Sequence, residues 1–280
     1  MGLIMKYRIL SFNFRTIHPV KYLRDYLAHE IRPDGRTLMK FRPASINVGS
    51  VSTADGSSVV KIGNTTVVCG IKAELVAPKT EEPESGFIVP NVTLPPLCSP
   101  KFRPGPPSAL AQTLTHLVAS IVMNSQCLKL QDLCIAPEHL VWVLHCDMVC
   151  LDHDGALLDA CLTALLAALK TISLPTVEYN ADEDKKTVNL RKRTPLIIDN
   201  IPVATTFAII DNDIVIADPT NEEESMASGV LSIVIQGDQL SSVHKPGGTP
   251  LLEMQLQNCI SAAKERSQLV NNLICAAVGQ

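Results

Sequence analysis

Apolar positions along the chain follow two periods, and the switches between them mark the elements. Residues 18–31 place Val20, Leu23, Leu27 and Ile31 at helical spacing, with Pro19 near the first turn. Arg32-Pro33-Asp34-Gly35-Arg36 then breaks that helix with a turn signal. Two β-rich runs, 58–62 and 65–71, flank Gly63-Asn64 and predict a tight hairpin. Residues 77–107 are rich in Pro and read as a long ordered loop or an edge segment. Ser108 can cap a helix carrying Leu110, Leu114, Leu117, Val118, Ile121 and Val122 on one face.

The pattern then changes to strict alternation. Leu140, Trp142, Leu144, Cys146, Met148 and Cys150 share a face of a strand over 139–151, the longest strand candidate. Residues 156–172 are apolar nearly all round, which predicts a helix inside the core. A charged loop follows at 180–186. Two further hairpins are expected, 203–210 with 214–217 and 229–235 with 239–244, and an amphipathic helix closes the chain over 251–274. A hairpin leading to a helix occurs in each half. The fold class expected is α/β: one unit over 18–276 of two pseudo-repeated β-rich halves with packed helices, preceded by an extension over 1–17.

Composition narrows the function classes. Lys plus Arg is 24 and Asp plus Glu is 28, a net charge of −4, which argues against a protein that coats nucleic acid by bulk charge. At 280 residues and 46% hydrophobic, the chain builds a core without staples. Nine Cys cannot all pair within the chain, and no Cys-x-x-Cys occurs, so they read as buried apolar groups and no zinc is expected. No run approaches the ~20 apolar residues of a membrane span, and no membrane partner is expected. The first 17 residues carry Lys6, Arg8 and Arg15 and no acid; they are a presequence or, more simply, an extension.

The punctuating motifs occur in a fixed order. Arg32-Pro33-Asp34-Gly35-Arg36 is followed by Asp55-Gly56-Ser57-Ser58-Val59 and Gly63-Asn64-Thr65-Thr66-Val67. Then come Pro104-Gly105-Pro106-Pro107, Asp147 closing a strand, Asp154-Gly155, and Asp218-Pro219-Thr220-Asn221-Glu222-Glu223-Glu224. This set resembles the RNase PH family across residues ~18–275. Leu94-Pro95-Pro96-Leu97-Cys98, Val141-Trp142-Val143-Leu144 and His244-Lys245-Pro246-Gly247-Gly248 resemble the non-catalytic ring subunits of the eukaryotic RNA exosome within it.

The resemblance implies a ribosomal protein S5 domain 2-like fold and a chemistry to test. Active members cut RNA from its 3′ end with phosphate, which needs cations near the RNA, donors around the attacking phosphate, and carboxylates. They carry a Gly, hydroxyl and Arg cluster at the start of the helix after the long strand. Here that stretch is Asp154-Gly155-Ala156-Leu157-Leu158-Asp159, with no Ser, Thr or Arg. Asp154 and Asp159 would oppose a phosphate; at ~4 Å such a pair costs about 1 kcal/mol in water-like surroundings and about 4 at an effective dielectric of 20. The family's Arg-Arg pair is also missing: Lys101 and Arg103 are bracketed by proline. Asp218 and Glu224 alone keep the spacing of the family's two acids, so they stand as vestigial catalytic candidates. RNA-contact candidates are Lys101, Arg103, Arg191, Lys192, Arg193, His244 and Lys245; Arg32 and Arg36 read as structural ties.

The resemblance therefore implies a ring subunit without catalysis, cofactor or metal. Its partners would be other RNase PH-like subunits, S1/KH-type cap subunits, an associated catalytic ribonuclease and single-stranded RNA, in the nucleus, including the nucleolus, and the cytoplasm. An active phosphorolytic exoribonuclease using Asp218 and Glu224 is the alternative, and a protein-interaction module outside RNA metabolism is a third.

Overall fold

The computed structural model describes residues 16–180, 185–211 and 214–279. Most of the 1–17 extension, the centre of the charged 180–186 loop and two residues of the 211–213 turn lie outside the described residues.

Helix α1 (Pro19–Leu27) opens the described chain, with Pro in its first turn where a missing N–H is harmless. A sheet follows, built from β1 (Ala44–Val48), β2 (Gly56–Ile62), β3 (Thr65–Val76), β4 (Phe87–Thr93), β5 (Cys134–Ala136) and β6 (Leu140–Asp152). Its order is β1-β2-β3-β6-β4, with β5 also on β6. All pairs are antiparallel except β4 with β6. The alternation in β6 puts Leu144, Cys146, Met148 and Cys150 in the core with no exposed area. β4 lies within the Pro-rich stretch 77–107. That stretch holds an edge strand rather than only a loop, and an edge tolerates Pro90.

Helix α2 (Ala109–Ser125) starts at Ser108, whose Oγ accepts the Ala111 N–H at 3.2 Å. A 3-10 turn, Leu130–Leu133, then leads into β5. Helix α3 (Leu157–Thr171) is buried at every position from Leu157 to Leu169. Between it and the second sheet runs a hairpin arm, β7 (Ser173–Asn180) with β8 (Lys185–Pro195), which the charged-loop reading of 180–186 did not anticipate. The second sheet has the order β10-β9-β11-β12: β9 (Pro202–Ile210), β10 (Ile214–Ala217), β11 (Gly229–Gln236) and β12 (Gln239–His244). Short helix α4 (Asn221–Met226) and long helix α5 (Glu253–Val278) complete the chain.

The two halves interlock. Helix α3 packs on β2 and β3 of the first sheet and on β9 of the second. Every residue of β9 is buried, because α3 and α5 both pack on it while Leu23 and Leu27 of α1 join its Ala208 and Ile210 in a further cluster. The loops at the start of α3 and the end of β10 are thereby brought together, and they form the site described next.

Candidate functional site

Asp218 follows β10 in a left-handed backbone conformation, φ +49°, and is 2% exposed. A buried carboxylate needs compensation. Arg42, from the loop before β1, supplies it: its Nη2 donates to Asp218 Oδ1 at 2.6 Å, its Nε to Oδ2 at 3.0 Å, and its backbone N–H to Oδ2 at 2.7 Å. Arg36 Nη1 donates to Oδ2 at 3.4 Å. Burial alone would raise the Asp218 pKa, but the hydrogen bonds and charge of Arg42 outweigh it and hold the carboxylate below its ordinary value.

Arg32, fully buried, extends the network. It donates to the Ala217 carbonyl at 2.6 Å and the Asp218 carbonyl at 3.0 Å, and its Nε donates to Glu223 Oε1 at 2.9 Å. Glu223 also receives the Thr220 N–H at 2.8 Å, closing a capping box at the start of α4. Three arginines from residues 32–42 thus hold the segment 217–223 in place.

The start of α3 sits against the same segment. Gly155 has φ +80°, and a Cβ there would stand 2.3 Å from the Pro219 carbonyl oxygen, so the close approach requires glycine. Arg42 Nη1 donates to the Asp154 carbonyl at 2.6 Å. The Ala156 N–H, one of the free donors at the helix start, donates to Glu224 Oε1 at 2.8 Å. Burial pushes the Glu224 carboxyl up to about 7, with the Ala156 hydrogen bond opposing. Asp159, one turn along, turns toward β9: its Oδ2 accepts the Thr206 N–H at 2.8 Å and its Oδ1 the Thr206 hydroxyl at 2.7 Å. Burial raises its pKa to about 6.

Above this network opens a cleft of about 510 Å³, lined by Asp34, Asp152, Asp154, Glu222 and Glu223 among others, with no Lys or Arg among its described lining. Among the described residues no three His, Cys, Asp or Glu side chains gather so as to hold a metal.

The 3′ exoribonuclease family models match residues 40–175 (RNase PH domain 1) and 200–266 (domain 2). The chain belongs to the RNase PH family. It is 38% identical to exosome complex component rrp43 of Schizosaccharomyces pombe, over 92% of this chain and 96% of that protein. It is 35% identical to exosome complex component Rrp42 of Pyrococcus furiosus, with 92% of each covered. Among solved structures it superposes on a chain of the Archaeoglobus fulgidus exosome with RNA bound to the active site, at TM-score 0.81 and 30% identity, covering 94% of this chain and 98% of that one. The first similarity is to a ring subunit of the ribosomal RNA-processing protein 43 type, and it agrees with the exosome ring-subunit resemblance of the stretches at 94–98, 141–144 and 244–248.

In an RNase PH-like chain the acids and the helix start are the places to examine, and the structure alters how both were read. Asp218 and Glu224 do lie together beside Asp154, Gly155, Ala156 and Leu157, but each is engaged by the protein's own groups. Asp159 had been expected to face a phosphate at the helix start; it faces Thr206 instead. Asp147 is not at a strand end but within β6, where Asn91 Nδ2 donates to it at 3.1 Å.

The basic candidates are spread over the molecule. Lys101 Nζ donates to Asn221 Oδ1 at 2.9 Å, at the edge of the cleft. Arg103 lines a separate cavity of about 230 Å³ with Pro104 to Pro107. Arg191, Lys192 and Arg193 are exposed on β8, where Arg193 reaches Asp55 at 3.6 Å. His244 ends β12, and Lys245 Nζ donates to the Gly247 and Gly248 carbonyls at 2.9 and 3.2 Å. Arg42 is the residue that sequence reasoning missed. Its only signal was a cation between Phe41 and Pro43, which does not announce a carboxylate 176 residues away.

Proposed function

We propose that this chain is a non-catalytic subunit of the exosome core ring, supporting 3′-to-5′ RNA processing and degradation by completing the ring and helping to line its RNA channel. One observation carries the reading. At the helix start where the family's active members receive phosphate, the Ala156 N–H is already taken by the Glu224 carboxylate. The neighbouring cleft is acidic, so a phosphate entering it meets repulsion without an arginine to offset it. Asp218 cannot serve as acid or metal ligand while Arg42 occupies both of its oxygens.

On this reading residues 18–276 act as one unit and 1–17 as an extension. The neighbours are RNase PH-like chains, S1/KH-type caps and an associated ribonuclease that performs the cleavage, in nucleus, nucleolus and cytoplasm. RNA contact is modest and shared among Lys101, Arg103, the Arg191-Lys192-Arg193 run, His244 and Lys245; a strand threaded through a pore needs no more.

The test is native mass spectrometry of the tagged chain from its own cells, followed by an RNA phosphorolysis assay on the recovered assembly. Equimolar recovery with several different chains of similar size is expected, with no phosphate-dependent cleavage assignable to this subunit. A homo-oligomer would overturn the ring reading. Loss of phosphorolysis in an intact ring carrying Glu224→Gln or Asp218→Ala would overturn the non-catalytic one.

A further inference from the structure

The outer edge of β4 borders a groove of about 570 Å³, distinct from the acidic cleft. Its floor is Ile88 of β4, Val122 and Met123 near the end of α2, and Leu130. Met123 is 52% exposed, beside Val122 at 3%. One wall is the turn at 79–85, which carries Glu82 and Glu84 exposed to solvent. That wall is fixed: the Glu82 N–H donates to the Lys79 carbonyl at 3.2 Å, and the Gly86 N–H to the Leu130 carbonyl at 3.0 Å.

Among the described residues neither Glu82 nor Glu84 has an ion-pair partner. The carbonyl end of α2, itself a centre of partial negative charge, has no basic residue in its last turn. Lys129 is the one cation among the described lining residues, and Lys79, at the start of the turn, lies over the Phe87 ring at 4.9 Å. A nucleic-acid backbone is repelled by such a rim. An arginine or lysine suits it: the aliphatic stem lies on Met123 and Ile88 while the head meets the carboxylates and the helix end. β4 is the last strand of its sheet; on its outer edge Pro90 has no N–H and the Val92 N–H donates to Thr115 Oγ1 at 3.0 Å, so Ile88, in the groove floor, is where an extended chain can meet that edge.

We propose that this groove receives an extended segment of a partner protein in which an arginine or lysine lies between apolar residues. The proposal does not depend on the ring reading, since it requires a protein partner but no role in RNA decay.

The experiment places the photo-crosslinker benzoylphenylalanine at Gln126, an exposed lining position, in the full-length tagged chain expressed in its own cells. Mass spectrometry of the crosslinked peptide is expected to identify one basic-apolar segment of a different protein. That partner, purified, is then titrated against wild type, Glu82→Gln/Glu84→Gln and Met123→Ser. The double variant is expected to bind about tenfold more weakly in 0.1 M salt, with the difference shrinking in 0.5 M salt. Met123→Ser is expected to weaken binding without changing its salt dependence. Crosslinks to RNA, to a second copy of this chain or to nothing overturn the proposal, as does unchanged affinity in the double variant. If the ring still assembles in that case, the groove proposal falls and the ring reading stands.

Discussion

Two acid-rich regions of this molecule are built on opposite terms. Around Asp218 the acids Asp34, Asp218 and Glu223 are answered by Arg36, Arg42 and Arg32 of the same chain. In the groove beside β4, Glu82 and Glu84 form no ion pair among the described residues, although Lys129 shares the lining. In the first region these three carboxylates are engaged by the fold, so none of them is free to act on a substrate. The second holds its charge in solvent at the rim of an apolar floor, where it costs the fold little and remains available to another molecule.

The sharpest way to break this comparison is Arg42→Met. It removes the guanidinium from Asp218, 2% exposed, and leaves that carboxylate only the backbone N–H of residue 42 at 2.7 Å and the 3.4 Å contact from Arg36. Removing one partner of a buried pair costs about 3–5 kcal/mol, measurable by urea unfolding. Adding Asp218→Asn should restore part of the loss, since no unpaired charge is then buried. An Arg42→Met protein as stable as wild type would mean that the network is incidental.

Glu224 gives the next effect, through pH. Its folded pKa is raised from the ordinary 4.5 to about 7 by burial. Between those values the folded state binds more protons than the unfolded one. This contribution is therefore greatest below pH 4.5 and is lost as pH rises toward 7, a span worth about 3 kcal/mol. Glu224→Gln keeps an acceptor for the Ala156 N–H and removes the buried charge. It should match wild type near pH 4.5 and exceed it at pH 8. Parallel stability-pH curves for the two proteins would contradict the assignment.

Much of the fold was legible because it is written in short-range periodicity. The alternation of β6, the all-apolar run of α3 and the Ser108 cap each reflect interactions within a few residues. β4 was harder, since it pairs in parallel with residues 56 positions later and carries a proline. The arm of β7 and β8 has few apolar positions to report it. The site divides in the same way. Asp218, Glu224 and the 154–157 stretch were singled out by the family resemblance of their motifs, whereas their occupation by Arg42 and the Ala156 N–H is a product of tertiary closure that no local pattern encodes.

Gly155 tests that closure directly. Alanine there takes on a φ of +80° and a Cβ 2.3 Å from a backbone oxygen. Relief requires moving the 219–221 segment, and the expected loss is about 2 kcal/mol by thermal or urea unfolding. A neutral Gly155→Ala would show that α3 and the segment after Asp218 are not tightly joined.

The smallest stability effect belongs to the groove, and its smallness is the point. Glu82→Gln/Glu84→Gln removes two exposed charges that hold no described partner, so the melting curve of the isolated chain should stay within about 0.5 kcal/mol of wild type. A charge that the fold does not use can be removed without cost to the fold, while its loss should be felt in partner binding. If the double variant is instead clearly destabilised, Glu82 and Glu84 belong with Asp34 and Glu223 as structural acids, and the two regions differ in exposure alone. If it is neutral in stability and weaker in binding, the paired carboxylates Asp34, Asp218 and Glu223 serve the chain and those at the groove serve what docks there.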